Sequence, residues 1–201
     1  LDSSKTILLW GDSQVGKTTW IAAALYGASP PLAMIDRNAS ADALAEMVAP
    51  HWRNLRQGRY VDPTQQMKIN LPLVVQGLGT VHLRDIQGGN VHAIHRNDIR
   101  AELIKDAAAF LVLAEWRGRT IDRQMEAIEP LLDFVGDRPS GLLFTKCERY
   151  LAADDDAWSL HPGWWRQEDW LSPFHAILER FGERIWPVSA YGYCQKDFAE
   201  G

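Results

Sequence analysis

The stretch Gly11-Asp12-Ser13-Gln14-Val15-Gly16-Lys17-Thr18 fits the pattern G-x-x-x-x-G-K-[ST] at every fixed position, and no other feature constrains the chain as much. Its glycines let the backbone curl, so that successive N–H groups turn inward toward phosphate oxygens. A helix starting at Lys17 presents its positive end to the same anion. In such a loop the Lys17 ammonium reaches the β- and γ-phosphates and the Thr18 hydroxyl coordinates Mg²⁺, with Thr19 following in the first helical turn. The flanks meet the demands of the pattern. Residues 6–10 are an apolar, strand-like run, and residues 17–26 carry a helical one.

Beyond the loop, short apolar runs alternate with helical patterns, which predicts an α/β fold with a mostly parallel sheet. Strands are expected at 6–10, 67–76, 80–86, 110–114, 141–145 and 184–188, and helices at 17–26, 39–57, 121–135 and 174–181. Ile99, Leu103 and Ala107 mark a further helix face. Between 39 and 57, Leu44, Val48, Trp52 and Leu55 keep helical spacing behind Ser40 as N-cap, and Pro50 is expected to split the run into two short helices. Gly77-Leu78-Gly79 reads as a tight hairpin turn. Pro72 has no N–H for a ladder, which places the first hairpin strand at the edge of the sheet.

Composition narrows the partners. With 201 residues the chain suits a single domain, 1–201, with a substantial core. A net charge of −5 offers no basic footprint for nucleic acid or for an anionic membrane. The longest apolar run, 107–114, is too short for a transmembrane segment, and no signal peptide is visible. Cys147 and Cys194 stand apart without metal-ligand spacing, which suits a reducing, cytoplasmic setting. The start at Leu1 and the helix-like stub at 196–201 suggest a piece of a longer protein.

Four further stretches follow the loop in the order found in GTPases, and with them the chain resembles the small-GTPase-like (TRAFAC) branch of P-loop proteins. Asp62-Pro63-Thr64 resembles switch I, where a threonine completes the Mg²⁺ shell; it lies 21 residues before Asp85. Asp85-Ile86-Gln87-Gly88 fits the D-x-x-G of switch II, which implies that Asp85 holds Mg²⁺ through water and that the Gly88 N–H meets the γ-phosphate. Thr145-Lys146-Cys147-Glu148 resembles the guanine-reading [NT]-K-x-D motif, with Glu148 where the family carries Asp. Ser189-Ala190 resembles the fifth motif, whose backbone supports the guanine carbonyl. The resemblance implies a three-layer P-loop NTPase fold with one antiparallel edge strand, GTP/GDP and Mg²⁺ as ligands, and a molecular switch. The lead-in Leu9-Trp10-Gly11 and the continuation Thr18-Thr19-Trp20-Ile21 are similar to prokaryotic double-GTPase conflict-system domains.

Hydrolysis is less well provided for. Gly89 stands where small GTPases place the water-orienting glutamine, which leaves Gln87, His92 or a partner's group for that task. Arg59, five residues before Thr64, is the in-cis candidate for countering γ-phosphate charge, with a solvated surface arginine as the plainer reading. Slow or partner-assisted GTP hydrolysis follows as the expectation. A nucleotide-dependent scaffold and an ATP-using P-loop enzyme are the alternatives.

Two insertions interrupt the resemblance, at about 37–60 and 149–172. The second holds Asp154-Asp155-Asp156, read as a solvated turn, and four of the chain's nine tryptophans: Trp158, Trp164, Trp165 and Trp170. Such a density reads either as a satellite core under a long loop or as a surface for a protein partner, which would otherwise dock on the switch regions.

Overall fold

The computed structural model describes residues 5–12, 15–26, 34–35, 42–57, 59, 70–75, 77, 79–85, 104–117, 121–147 and 162–189. Strand β1 (Lys5–Trp10) leads through the loop into helix α1 (Lys17–Tyr26). Next come β2 (Met34–Ile35), α2 (Asp42–Arg56) and the hairpin of β3 (Asn70–Val75) with β4 (Gly79–Asp85). Strand β5 (Ala109–Glu115), helix α3 (Ile121–Val135) and strand β6 (Ser140–Thr145) follow. Two 3-10 segments, Trp164–Gln167 and Asp169–Phe174, then run into a short helix α4 (His175–Glu179) and strand β7 (Ile185–Pro187).

The seven strands form one sheet in the order β2-β3-β4-β1-β5-β6-β7. β4, β1, β5, β6 and β7 run parallel, and β3 alone opposes its neighbours on both sides. The single antiparallel strand is therefore as expected, but its place at the edge is not. The two-residue β2 lies outside it, pairing Met34 with Val74 and Ile35 with Leu73. Pro72 escapes conflict because the described pairing of β2 reaches only Leu73 and Val74. So short a strand leaves almost no periodicity to read.

Alternation along the central strands builds a core on each face of the sheet. Leu8 and Trp10 of β1, Phe110, Val112 and Ala114 of β5, and Leu142 and Phe144 of β6 point to one face. There they meet Met125, Ile128, Leu131 and Leu132 of α3, whose spacing makes one apolar stripe. Leu9, Leu113 and Leu143 point to the other face, against Ile21, Ala22 and Leu25 of α1 and Val48 and Leu55 of α2. Helices on both faces of a mostly parallel sheet are compatible with a three-layer α/β fold.

Helix α2 runs unbroken through Pro50, against the expected split. Pro50 is exposed, so water can serve the carbonyl that its missing N–H leaves without a donor. Meanwhile Val48 and Leu55 stay buried, and Trp52 stacks on Tyr26 of α1 with centroids 6.5 Å apart. Packing here outweighs the local preference. A different device closes α3: the Arg138 guanidinium donates to the carbonyls of Val135 at 2.9 Å, Ile104 at 2.6 Å, Ala107 at 3.1 Å and Lys105 at 3.3 Å, and also to that of Phe134. One side chain thus caps the carbonyl ends of α3 and of helical residues 104–106.

The described part of the tryptophan-rich insertion resolves in favour of a core. Trp164 and Trp165 are buried, and Trp164 stacks on Trp116 at 5.0 Å with an interplanar angle of 15°. Trp170 packs against Trp116 and Phe144 at 5.3 and 5.6 Å. The Trp164 indole N–H donates to Ile185 O at 3.1 Å, and that of Trp165 to Gly182 O at 3.3 Å. A docking role for Trp164 and Trp165 is thereby corrected: both rings are spent inside the molecule. The insertion also has regular structure where no period was legible. Its 3-10 turns start at Trp164, and the helix expected over 174–181 is α-helical only across His175–Glu179. Trp158, Asp154-Asp155-Asp156 and the candidate N-cap Ser40 lie outside the described residues.

Candidate functional site

Four strands of one direction end side by side, and their last residues are Asp85 of β4, Trp10 of β1, Glu115 of β5 and Thr145 of β6. The register sets Asp85 beside Leu9, Val112 beside Trp10 and Thr145 beside Glu115. The chain leaves β1 with β4 on one side and β5 on the other, so the strand order reverses there. Open α/β sheets bind ligands at the carboxyl ends of their strands, at such a switch point.

The glycine loop occupies this point. A Cβ at Gly11 would lie 2.8 Å from Leu113 O of β5, so only glycine lets the loop pass this close to the neighbouring backbone. Gly16 sits at φ 90°, in the left-handed region that side chains avoid. The first helical hydrogen bond of α1 follows at once, from the Trp20 N–H to Gly16 O at 2.8 Å. No acidic residue stands in the first turn of α1, which keeps its positive end available to an anion.

Lys17 is buried, and its ammonium donates to Gly11 O at 2.7 Å and Asp12 O at 2.9 Å, folding back over the loop it follows. Burial lowers the Lys17 pKa below its ordinary value, opposed by the charges of Asp85 and Asp12. Asp85 is the counterpart. Burial raises its pKa to about 7, opposed by Lys17. Its Oδ1 is buried and finds no hydrogen-bond partner among the described residues. A buried carboxylate oxygen with no protein donor asks for a cation or a water. Thr18 stands half-buried at the second position of α1. Hydroxyl and carboxylate oxygens are the hard donors that Mg²⁺ takes alongside phosphates, so Thr18 and Asp85 fit that ion.

From the other side, the Thr145 hydroxyl lies 2.5 Å from Val15 O and 3.2 Å from Ala114 O. It ties the loop to the ends of β5 and β6. Lys146 follows with φ 60°, and its ammonium lies 3.0 Å from Glu115 Oε2. The Glu115 N–H is itself taken by Gln124 Oε1 of α3 at 2.7 Å. Asp12 receives an ion pair from the same helix, with Arg123 Nε at 3.7 Å from its Oδ2.

The structure therefore brings together Gly11, Asp12, Val15, Gly16, Lys17, Thr18, Asp85, Thr145 and Lys146, from positions spread over most of the chain. Thr19 is half-buried in the first turn of α1, and Ser189 is half-buried just past β7, after Val188 donates to Phe144 O at 2.8 Å. Arg59 is exposed beyond α2, its N–H on Asn54 O at 2.9 Å, a contact that belongs to the helix end and not to the loop. Ser13, Gln14, Thr64, Gln87, Gly88, His92, Glu148 and Ala190 lie outside the described residues. Glu115, Gln124 and Arg123 are additions that sequence reasoning passed over. Nothing local distinguishes them; only the adjacency of β5 to β1 and β6 carries them to the loop.

No described cluster of three or more His, Cys, Asp or Glu could hold a metal by protein ligands alone. Among the described residues no helix is long and apolar enough to cross a membrane. No protein-family model matches the sequence, and no curated protein matches it.

Proposed function

We propose that this chain is a P-loop switch that binds GTP with Mg²⁺ and hydrolyses it slowly or with a partner's help. One observation carries the reading: the Lys17 ammonium lies 2.7 Å from Gly11 O and 2.9 Å from Asp12 O, over a loop that needs glycine at both 11 and 16, at the switch point of a parallel sheet. Loop amides and Lys17 would hold the phosphates. Thr18 and Asp85 would hold Mg²⁺, with Thr64 joining them when triphosphate is bound. When bound, that ion neutralises charge on the phosphate oxygens. Gly88 would sense the terminal phosphate, and Gln87 or His92 would orient the attacking water.

The guanine preference rests on Thr145 to Glu148 and on Ser189-Ala190. Glu115 supports it by anchoring Lys146, whose stem would lie along the base, while the Glu148 carboxylate accepts from the two donors that adenine lacks together. With no glutamine after Gly88, turnover by the isolated chain should resemble unassisted switches, well below about 1 per second. A cytoplasmic setting, where triphosphates are abundant, fits this role.

The test is calorimetry with Mg²⁺, GTP beside ATP, on the wild type, Lys17→Ala and Glu148→Ala. GTP favoured by about tenfold or more, with binding lost in Lys17→Ala and preference lost in Glu148→Ala, supports the switch. Preference for ATP, or none, would leave a P-loop nucleotide binder without the guanine reading. No binding of either nucleotide by the wild type would end the proposal.

A further inference from the structure

Helices α2 and α3 pack on opposite faces of the sheet, and they expose opposite charges. Val48 and Leu55 turn one side of α2 into the core, which leaves Arg53 and Arg56 exposed on its outer side. Arg59 is exposed on the turn that closes the helix, where its N–H bonds to Asn54 O at 2.9 Å. None of the three guanidiniums has a hydrogen-bond or ion-pair partner among the described residues. Beside them Trp52, one helical turn before Arg56, stacks on Tyr26, which is 37% exposed. Trp, Tyr and Arg are the side chains that most often carry the energy of a protein–protein contact.

Helix α3 presents the counterpart. Its apolar stripe faces the core, and its outward row is Asp122, Glu126 and Glu129, all exposed. Asp133 extends the row but is already met by Arg180 at 2.9 Å, and Arg123 is drawn aside to Asp12. The other three carboxylates have no partner among the described residues. Like charges three and four positions apart on a helix repel one another, so cations laid over this row relieve it.

We propose that this chain associates head to tail, the arginine flank of α2 in one copy seated on the carboxylate row of α3 in the next. A second copy is the occupant because the two surfaces answer each other: three open guanidiniums on one, three open carboxylates on the other. The carboxylate row runs about 10 Å along α3 at a rise of about 1.5 Å per residue; Arg53 to Arg56 covers about half of that, and Arg59 continues past the helix end. Each guanidinium fork can take a carboxylate through two parallel hydrogen bonds. Because the surfaces lie on opposite faces of the sheet, every copy added leaves one of each open, and the assembly grows as a chain or closes as a ring. With a net charge of −5 the copies repel at a distance, so the contact is short-ranged and sensitive to salt. Neither surface includes a residue of the glycine loop, so the contact forms with or without nucleotide.

The experiment is sedimentation velocity from about 5 to 500 µM protein, in about 20 mM and about 500 mM NaCl. It compares the wild type with Arg53→Glu/Arg56→Glu, with Glu126→Lys/Glu129→Lys, and with the two variants mixed in equal amounts. Thermal melting of each is recorded alongside. The neutral pair Arg53→Gln/Arg56→Gln is included because acids in the last turn of α2 oppose its dipole. The average mass of the wild type should rise with concentration in low salt and return to the monomer in high salt. Each charge-reversed variant should stay monomeric alone, and their mixture should associate again, since every contact in it pairs opposite charges. The glutamine variant should weaken association about tenfold or more. A wild type that is monomeric throughout, or that associates regardless of either reversal, would overturn the proposal. So would a mixture that stays monomeric, or a wild-type mass that stops at the dimer.

Discussion

Thr145 and Val15 stand 130 positions apart in the chain, yet the Thr145 hydroxyl lies 2.5 Å from the Val15 carbonyl, inside the bend of the glycine loop. The contact joins the glycine loop to the strand end that the resemblance assigns to the base. Both residues are buried, so no water is at hand to replace the bond.

Thr145→Val keeps the shape and removes the donor. We expect a loss of about 1–3 kcal/mol in urea unfolding, because a buried carbonyl loses its partner. Thr145→Ser should restore most of it. Nucleotide affinity should fall in Thr145→Val in parallel. An unchanged unfolding midpoint would show that the brace carries no weight.

The two loop glycines fail for different reasons. Gly11→Ala puts a methyl 2.8 Å from Leu113 O, a backbone atom that cannot swing aside. It should cost about 1–3 kcal/mol and displace β5 relative to the loop. Among the described residues Gly16→Ala meets no crowding closer than Thr145 Oγ1 at 4.0 Å, but its φ of 90° should cost about 1–2 kcal/mol in conformation alone. Calorimetric unfolding of the two variants measures both costs. A neutral Gly11→Ala would argue against so close a passage of loop and strand.

Asp85 gives a dependence on pH with a defined sign. Its folded pKa, about 7, lies above the ordinary 3.8, so the folded state holds more protons than the unfolded one between those values. That contribution is full below about pH 4 and is lost as pH rises through 7, by up to about 1.4 kcal/mol per pH unit. Lys17 works oppositely. Its lowered pKa makes stability rise with pH between its folded value and 10.5, above the Asp85 window except where the two overlap. In metal-free buffer, Asp85→Asn should therefore flatten the decline between pH 4 and 7 and be the more stable protein at pH 8. Parallel curves for the two proteins would refute the shift.

Trp164→Ala removes a buried ring, its stack on Trp116 and the hydrogen bond to Ile185 O at 3.1 Å. A loss of about 3–5 kcal/mol is expected, enough to unfold a marginal domain. A variant that melts like the wild type would revive the docking reading of this segment.

How far the fold could be read follows from how its elements keep their periods. β1, α1, β5, α3 and β6 were legible within a residue of each end, because each carries a full apolar run or stripe. β2 was not, having two residues, and α2 misled because a proline on a solvated face breaks less than its propensity suggests. The tryptophan segment hid its order, since 3-10 turns repeat every three residues over stretches too short to show it. Within the site, Lys17, Gly11, Gly16 and Asp85 announce themselves by local pattern. The tie from Thr145 to Val15 and the reach of Arg123 to Asp12 depend on strand order, which no local pattern encodes.

The stack of Trp116 on Trp164 has an optical consequence. Two indole chromophores with centroids 5.0 Å apart and planes 15° from parallel couple their transition dipoles, and such coupling contributes to the circular dichroism of the aromatic band. Trp116 directly follows Glu115, the anchor of Lys146, so ellipticity in the aromatic band would register a rearrangement at that strand end without any added label.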